Sequence, residues 1–238
     1  MKLASGLLLA FLAWGLSPAL AATVPFNQNL IINGDAESDV GSSDGSSIGA
    51  VTGFTRTGEF TVTKYKAVVT LNDFPAIGSP GPADRGLNFF SGGFTNPSIG
   101  HQRIDITGVA SSIDLGSTRY ELSGFLGGFS NQGDRAVLTA NFLNDQDAPL
   151  GFAAIGAVTN GDRQNITGLL ERSTDGLVPV GTRSIQIALA LTRSAGQYND
   201  GYADNLSLKL TPVPLPAAVL LFVPGLLGIG VLANRKRS

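Results

Sequence analysis

Apolar and polar positions alternate in short runs through the middle of this chain. Runs rich in Val, Ile, Thr and Phe are separated by Gly, Asn, Asp and Pro, the residues that make turns. Ser184-Ile185-Gln186-Ile187-Ala188-Leu189 shows the pattern most plainly, with every second side chain apolar, as in a strand with one wet face. The pattern predicts strands at Phe60–Val69, Gly100–Thr107, Arg119–Leu126, Ala136–Asn141, Ser184–Thr192 and Ala203–Leu210. No long stretch between the two ends repeats at 3.6 residues. Strands at this spacing predict an all-β chain folded as one β-sandwich. Residues 39–49, rich in Ser, Gly and Asp, and residues 72–86, with Pro75, Pro80 and Pro82, read as irregular loops. Asn199-Asp200-Gly201, flanked by Tyr198 and Tyr202, reads as a tight turn with Gly201 free to take positive φ.

The two ends break the pattern. Lys2 precedes an apolar run from Leu7 to Leu16, and Ala19-Leu20-Ala21 supplies small residues before a cleavage point, so residues 1–21 read as a signal peptide. Residues 22–210 then form the domain, and 211–238 a tail. Within the tail, Ala217 to Ala233 is an uncharged stretch of 17 residues, and Arg235, Lys236 and Arg237 close the chain. As a helix this stretch would reach roughly 25 Å, at the short end for crossing a bilayer, with the basic cluster staying on the cytoplasmic side.

Val213-Pro214-Leu215-Pro216-Ala217, the apolar span with Gly225-Leu226-Leu227-Gly228, and the basic end resemble the PEP-CTERM sorting domain. Its VPLPA variant fits best, because Leu215 stands where the commonest form has Glu. The resemblance implies a Gram-negative, exopolysaccharide-producing bacterium and recognition by an exosortase. It further implies membrane anchoring before processing near the Pro motif, and display at the cell surface or release afterwards. In that setting the chain is the substrate of the sorting enzyme.

Without its ends the chain keeps 12 basic and 18 acidic residues, a net charge of −6. That balance argues against nucleic-acid binding, which needs a basic face. Arg and Asp are interspersed without blocks, which reads as solvated surface. With no Cys, an exported domain of this size must rest on its core, or on a core and a metal. The single Trp, Trp14, lies in the signal peptide, so a sugar-stacking platform in the domain would need Tyr65, Tyr120, Tyr198, Tyr202 or an exposed Phe.

Asn29-Leu30-Ile31-Ile32-Asn33-Gly34-Asp35-Ala36-Glu37 and Asp204-Asn205-Leu206-Ser207-Leu208 resemble the first and last strands of galactose-binding-like jelly rolls. Asn88-Phe89-Phe90-Ser91-Gly92-Gly93, Gln102-Arg103-Ile104-Asp105 and Gly181-Thr182-Arg183 resemble domains that PEP-CTERM proteins often carry. The likeness implies a single jelly-roll sandwich whose chain ends lie close together and share a structural Ca²⁺. On that pattern Glu37 and Asp204 supply carboxylates and Asp35 a further oxygen, the hard donors Ca²⁺ takes. The bland alternative gives Asp35 and Asp204 to turns and loop caps. Tyr198 and Tyr202 are candidate ligand contacts, with packing in the sandwich as the rival role.

Catalytic patterns are missing. His101 is the one histidine, and no nucleophile elbow, zinc-binding His/Cys set or phosphate-binding Gly loop accompanies it. Gly92-Gly93 and Gly127-Gly128 read as bulges or turns. The sequence therefore predicts a non-catalytic exported component of the envelope or extracellular matrix. Two alternatives stay open: an exopolysaccharide-binding module and, more remotely, a glycoside hydrolase using two of the carboxylates.

Overall fold

The structure is a computed structural model and describes residues 24–68 and 74–213. Ten strands and one short helix are present: β1 (Thr55–Thr57), β2 (Thr61–Lys64), β3 (Asn88–Ser91), β4 (Ser98–Asp105), α1 (Ala110–Asp114), β5 (Thr118–Gly128), β6 (Arg135–Leu143), β7 (Pro149–Ile155), β8 (Gly168–Leu177), β9 (Ser184–Thr192) and β10 (Tyr202–Pro212). They form two five-stranded antiparallel sheets, ordered β1-β4-β9-β6-β7 and β2-β3-β10-β5-β8. The alternation read from the sequence decides which side chains lie between the sheets. Ile185, Ile187, Leu189 and Leu191 of β9 and Ala136, Leu138, Ala140 and Phe142 of β6 meet Leu206, Leu208 and Leu210 of β10 in one core. Each of the Leu, Ile and Phe side chains gains about 1.5–3 kcal/mol on burial. Phe54, Phe60 and Phe90 pack together near one end, with ring centroids 5.3–5.4 Å apart.

Five of the six expected strands are found within two residues of their expected ends, and Ser184–Thr192 coincides with β9. The run expected over Phe60–Val69 is shorter. The Tyr65 N–H still donates to the Leu87 carbonyl in the register of β2 with β3, but Lys66 then bridges Ala76 instead of continuing beside β3. Asn199-Asp200-Gly201 is a buried segment and not an exposed turn. Gly201 does not take positive φ; a Cβ there would lie 2.6 Å from the Arg135 carbonyl oxygen, so its smallness serves close packing. Gly127, near the end of β5, meets the same limit against the Gly168 carbonyl. The reading of all charges as solvated surface is also corrected, since Asp134, Arg163, Asp200 and Asp204 are buried.

The segment after Val24 is stitched along β10. Asn27 N–H donates to Leu210 O, Leu30 N–H to Leu208 O, and Leu206 N–H to Gly34 O, each at 2.8 Å. Asn29 adds a two-way bond: its Nδ2 donates to Leu206 O, and its Oδ1 accepts from Leu208 N–H. Gly34 is required here because a Cβ would run into the Leu206 carbonyl. The first and last segments of the described domain are therefore neighbours, as the jelly-roll likeness implied. The expected signal peptide and the expected sorting tail from Pro214, including Leu215, Pro216, Ala217, Arg235, Lys236 and Arg237, lie outside the described residues. No helix among the described residues is long and apolar enough to cross a membrane.

Candidate functional site

The outer face of the β1-β4-β9-β6-β7 sheet carries a continuous row of side chains. The register aligns Arg103 with Gln186, Gln186 with Asn141, and Asn141 with Phe152, one residue from each of four adjacent strands. At about 4.8 Å per strand the row extends roughly 14 Å. Phe152 is 72% exposed, an unusual state for a Phe on a regular strand. The next row, His101–Ala188–Thr139–Ala154, is mostly small and leaves a low floor beside the first. A shallow recess of about 490 Å³, lined by Ile32, Thr55, His101, Arg103 and Gln186 among others, opens at the β4 end. A second, of about 480 Å³, continues past Arg103 toward Asp105, Asn144, Asp145 and Arg183. Arg103 is bonded to Asp147, and Arg183 to Asp114 at 2.8 Å.

His101 stands on β4 with Nδ1 buried and without a hydrogen-bond partner. A catalytic imidazole of the triad type is oriented through that nitrogen by a carboxylate. Half-buried on β4, it is better described as a residue of the strand than as a catalytic base.

Glu37 and Asp35 lie near enough to Asp204 for their charges to act on it, where the first segment meets β10. Asn33 and Ala36, both at positive φ (56° and 58°), turn the chain so that Glu37 Oε1 accepts from the N–H groups of Leu87 and Asn88 at 2.9 and 2.7 Å. Asp204 sits at a bulge in β10 and is fully buried. Its Oδ2 accepts from the Tyr65 hydroxyl and its Oδ1 from the Asn205 N–H, both at 2.7 Å. Burial pushes its carboxyl up to about 8. The two hydrogen bonds oppose that rise, while the charges of Glu37 and Asp35 add to it. Asp35 is exposed and its Oδ1 accepts from the Glu37 N–H at 3.3 Å, so its side chain serves the turn. Among the described residues no group of three or more His, Cys, Asp or Glu is arranged to hold a metal. A cation here would have to take Glu37, Asp204 and main-chain oxygens, a donor set that suits Ca²⁺.

The tyrosines are spent on packing. Tyr202 is fully buried with its hydroxyl on Asp200, so it offers no surface to a ligand. Tyr198 packs edge-on against Phe74 and Phe94, and its hydroxyl reaches Ser91 Oγ and Gly45 O at 2.8 and 2.9 Å. Tyr65 is buried on Asp204, and Tyr120 packs on Phe142. Exposed rings are found instead at Phe94 and at Phe152, the latter on β7, a strand absent from the sequence reading. Its Leu150-Gly151-Phe152-Ala153-Ala154 stretch is apolar throughout, with no polar alternation in the sequence to mark its two faces.

Among solved structures the fold resembles a Stig cyclase of Fischerella sp. TAU, at 14% identity and a TM-score of 0.50 over 78% of this chain and 98% of that one. It also resembles a family 16 carbohydrate-binding module, at 15% identity and a TM-score of 0.45 over 76% of this chain and 99% of that one. The enzymatically active domain of bacteriophage CBA120 tailspike protein 4 matches at 15% identity and a TM-score of 0.45 over 77% of this chain, which spans 21% of that protein's length. At these identities the likeness shows the β-sandwich fold alone. No family model and no curated protein matches the sequence.

Proposed function

We propose that this chain is an exported, non-catalytic envelope protein whose jelly-roll domain grips polysaccharide, with the C-terminal segment acting as an exosortase sorting signal. The observation that carries the binding role is the Arg103–Gln186–Asn141–Phe152 row. Sugar rings present an apolar C–H face and a rim of hydroxyls. An exposed aromatic ring in line with amide and guanidinium groups meets both needs, and a small-residue floor lets a chain lie close. The row is open along the sheet, which suits an extended polymer.

Glu37 and Asp204 would hold a structural Ca²⁺ that neutralises the buried Asp204 carboxylate and ties the first segment to β10. The ion would supply positive charge and oxygen affinity to the two residues and no chemistry to a substrate.

Retardation of the protein in gels containing neutral or acidic polysaccharides, including bacterial exopolysaccharide, tests the binding role. Phe152→Ala and Asn141→Ala should each weaken retention about ten-fold, on the scale of one lost aromatic contact or one lost hydrogen-bonding group. Glu121→Ala on the opposite sheet should leave it unchanged. Absence of retention on every polymer, or retention indifferent to Phe152 and Asn141, would remove the proposal.

A further inference from the structure

The described residues end at Val213, just past β10, and the loops around that point carry apolar side chains into solvent. Val213 N–H donates to Ser117 O at 2.8 Å, two residues beyond Leu115 at the close of α1. Val178 N–H donates to Thr118 O at 2.9 Å, and Gly181 N–H to Asp114 Oδ1 at 3.2 Å. A Cβ on Gly181 would lie 3.6 Å from Leu150 Cδ1. These contacts gather α1, the β8–β9 loop and the start of β7 at one end of the sandwich, beside the end of β10. Four large apolar side chains are exposed there: Leu115 at 69%, Leu177 at 54%, Val180 at 60% and Leu150 at 40%.

Single exposed apolar residues are ordinary on a protein surface, but a group of them in one place marks contact with another molecule or a membrane. The ionic groups beside this one largely cancel. Asp114 is bonded to Arg183 and Asp175 to Arg119, and Asp145, near Arg183, adds one further carboxylate. Such a surface meets lipid through apolar contact and gains nothing from anionic headgroups. The sequence beyond Val213 selects lipid as the occupant. The uncharged stretch from Ala217 to Ala233 starts four positions later. Four residues reach at most about 14 Å, whatever their conformation. The headgroup layer alone takes up roughly 5–7 Å of that reach. A segment entering a bilayer at Ala217 therefore holds this end of the domain close against the bilayer surface.

We infer that this end of the sandwich, through Leu115, Leu150, Leu177 and Val180, rests on the lipid surface that residues 217–233 enter. The inference rests on the reading of those residues as a membrane span, and it adds an orientation for the domain. The exposed side chains sit at the boundary of headgroups and acyl chains, where apolar groups on interfacial proteins lie. β4 and β9 run from this end, where Asp105 is opposite Ser184, to the far end, where Ser98 is opposite Leu191. They therefore stand up from the membrane. The Arg103–Gln186–Asn141–Phe152 row is then turned sideways, open to a polymer lying along the surface.

The test uses the whole chain reconstituted in phosphatidylcholine vesicles. The chain contains no cysteine, so one introduced thiol carries the only dye. A dye at Leu115→Cys should be quenched by lipids bearing a nitroxide at headgroup depth. The same dye at Phe94→Cys, exposed between β3 and β4 at the far end, should not be. Adding Leu177→Glu and Val180→Glu to the Leu115→Cys chain should remove the quenching, with flotation on the vesicles and circular dichroism unchanged. Phosphatidylglycerol in the vesicles should leave the quenching as it was. The inference is overturned if the chain floats but Leu115 and Phe94 are quenched alike, if the two glutamates leave the quenching intact, or if quenching needs the anionic lipid. A chain that does not float with the vesicles overturns the membrane-span reading itself, and the inference with it.

Discussion

Two buried aspartates put acid–base chemistry into the stability of the domain. Burial raises Asp204 to about 8 and Asp200 to about 6. Asp204 faces Glu37, Asp35 and the Tyr65 hydroxyl; Asp200 faces Asp134, Arg163 and the Tyr202 hydroxyl. Both folded-state values lie above those of an unfolded Asp, so the folded state holds these protons more tightly. The stability they lend is full below about pH 4 and is lost as pH rises, through about 6 for Asp200 and about 8 for Asp204, by at most about 1.4 kcal/mol per unit for each group. In chelator, the midpoint of urea unfolding should therefore fall between pH 5 and pH 8. Asp204→Asn should flatten the upper part of that decline. A midpoint that rises over this range would contradict the assignment. Asp105, Asp114, Asp147 and Asp162 are held below the usual carboxylate range by their hydrogen-bond donors and act in the opposite sense at more acid pH, weakly because they are solvated. The sequence pattern placed Asp204 at the junction of the two ends. It was silent on Asp134 and read Asp200 as part of a turn, because an Asp beside a Gly has the same letters in a turn as in a buried network.

Among the elements, legibility followed burial. β9 and β10 place one face in the core, and their alternation is clean. β7 and β8 were not legible: β7 opens with Pro and contains Gly, and β8 reads Glu-Arg-Ser-Thr-Asp along its middle, so propensity alone points to loops. β3 is too short and too buried to show a period. What holds β8 and the β5–β6 turn in place was equally hidden. Arg163, 4% exposed, donates from Nη1 to the carbonyls of Gly128, Ser130 and Ile166 at 2.7–3.0 Å and from Nη2 to Gln132 O at 3.2 Å. One side chain thus satisfies main-chain acceptors from two loops that share no ladder. Arg163→Met keeps much of the volume and leaves those carbonyls unpaired. It should cost about 3 kcal/mol in urea unfolding, whereas Arg172→Met, on the β8 surface, should cost under about 1 kcal/mol.

At the scale of the whole molecule, a disulfide-free sandwich depends on what fastens its ends. Millimolar Ca²⁺ should raise the thermal midpoint by several degrees, the effect of a ligand that binds only the folded state. Saturation at 100 times Kd is worth about 2.7 kcal/mol. Glu37→Gln should abolish the shift while Asp35→Asn keeps most of it. Equal loss in both variants would show that the exposed carboxylate is a ligand after all, and no shift in the unmodified protein would remove the cation from the account.

The position of β10 has a mechanical consequence. The strand lies in the middle of its sheet, between β3 and β5, with the segment from Asn27 to Gly34 bonded along it as well. The described residues end just beyond it, at Val213. A pull applied there runs along the strand axis, so its ladder is loaded in shear and many bonds must yield at once. Had the exit been from an edge strand, the same pull would peel bonds away one by one. A domain tethered through this end and loaded through the opposite sheet is built to bear tension.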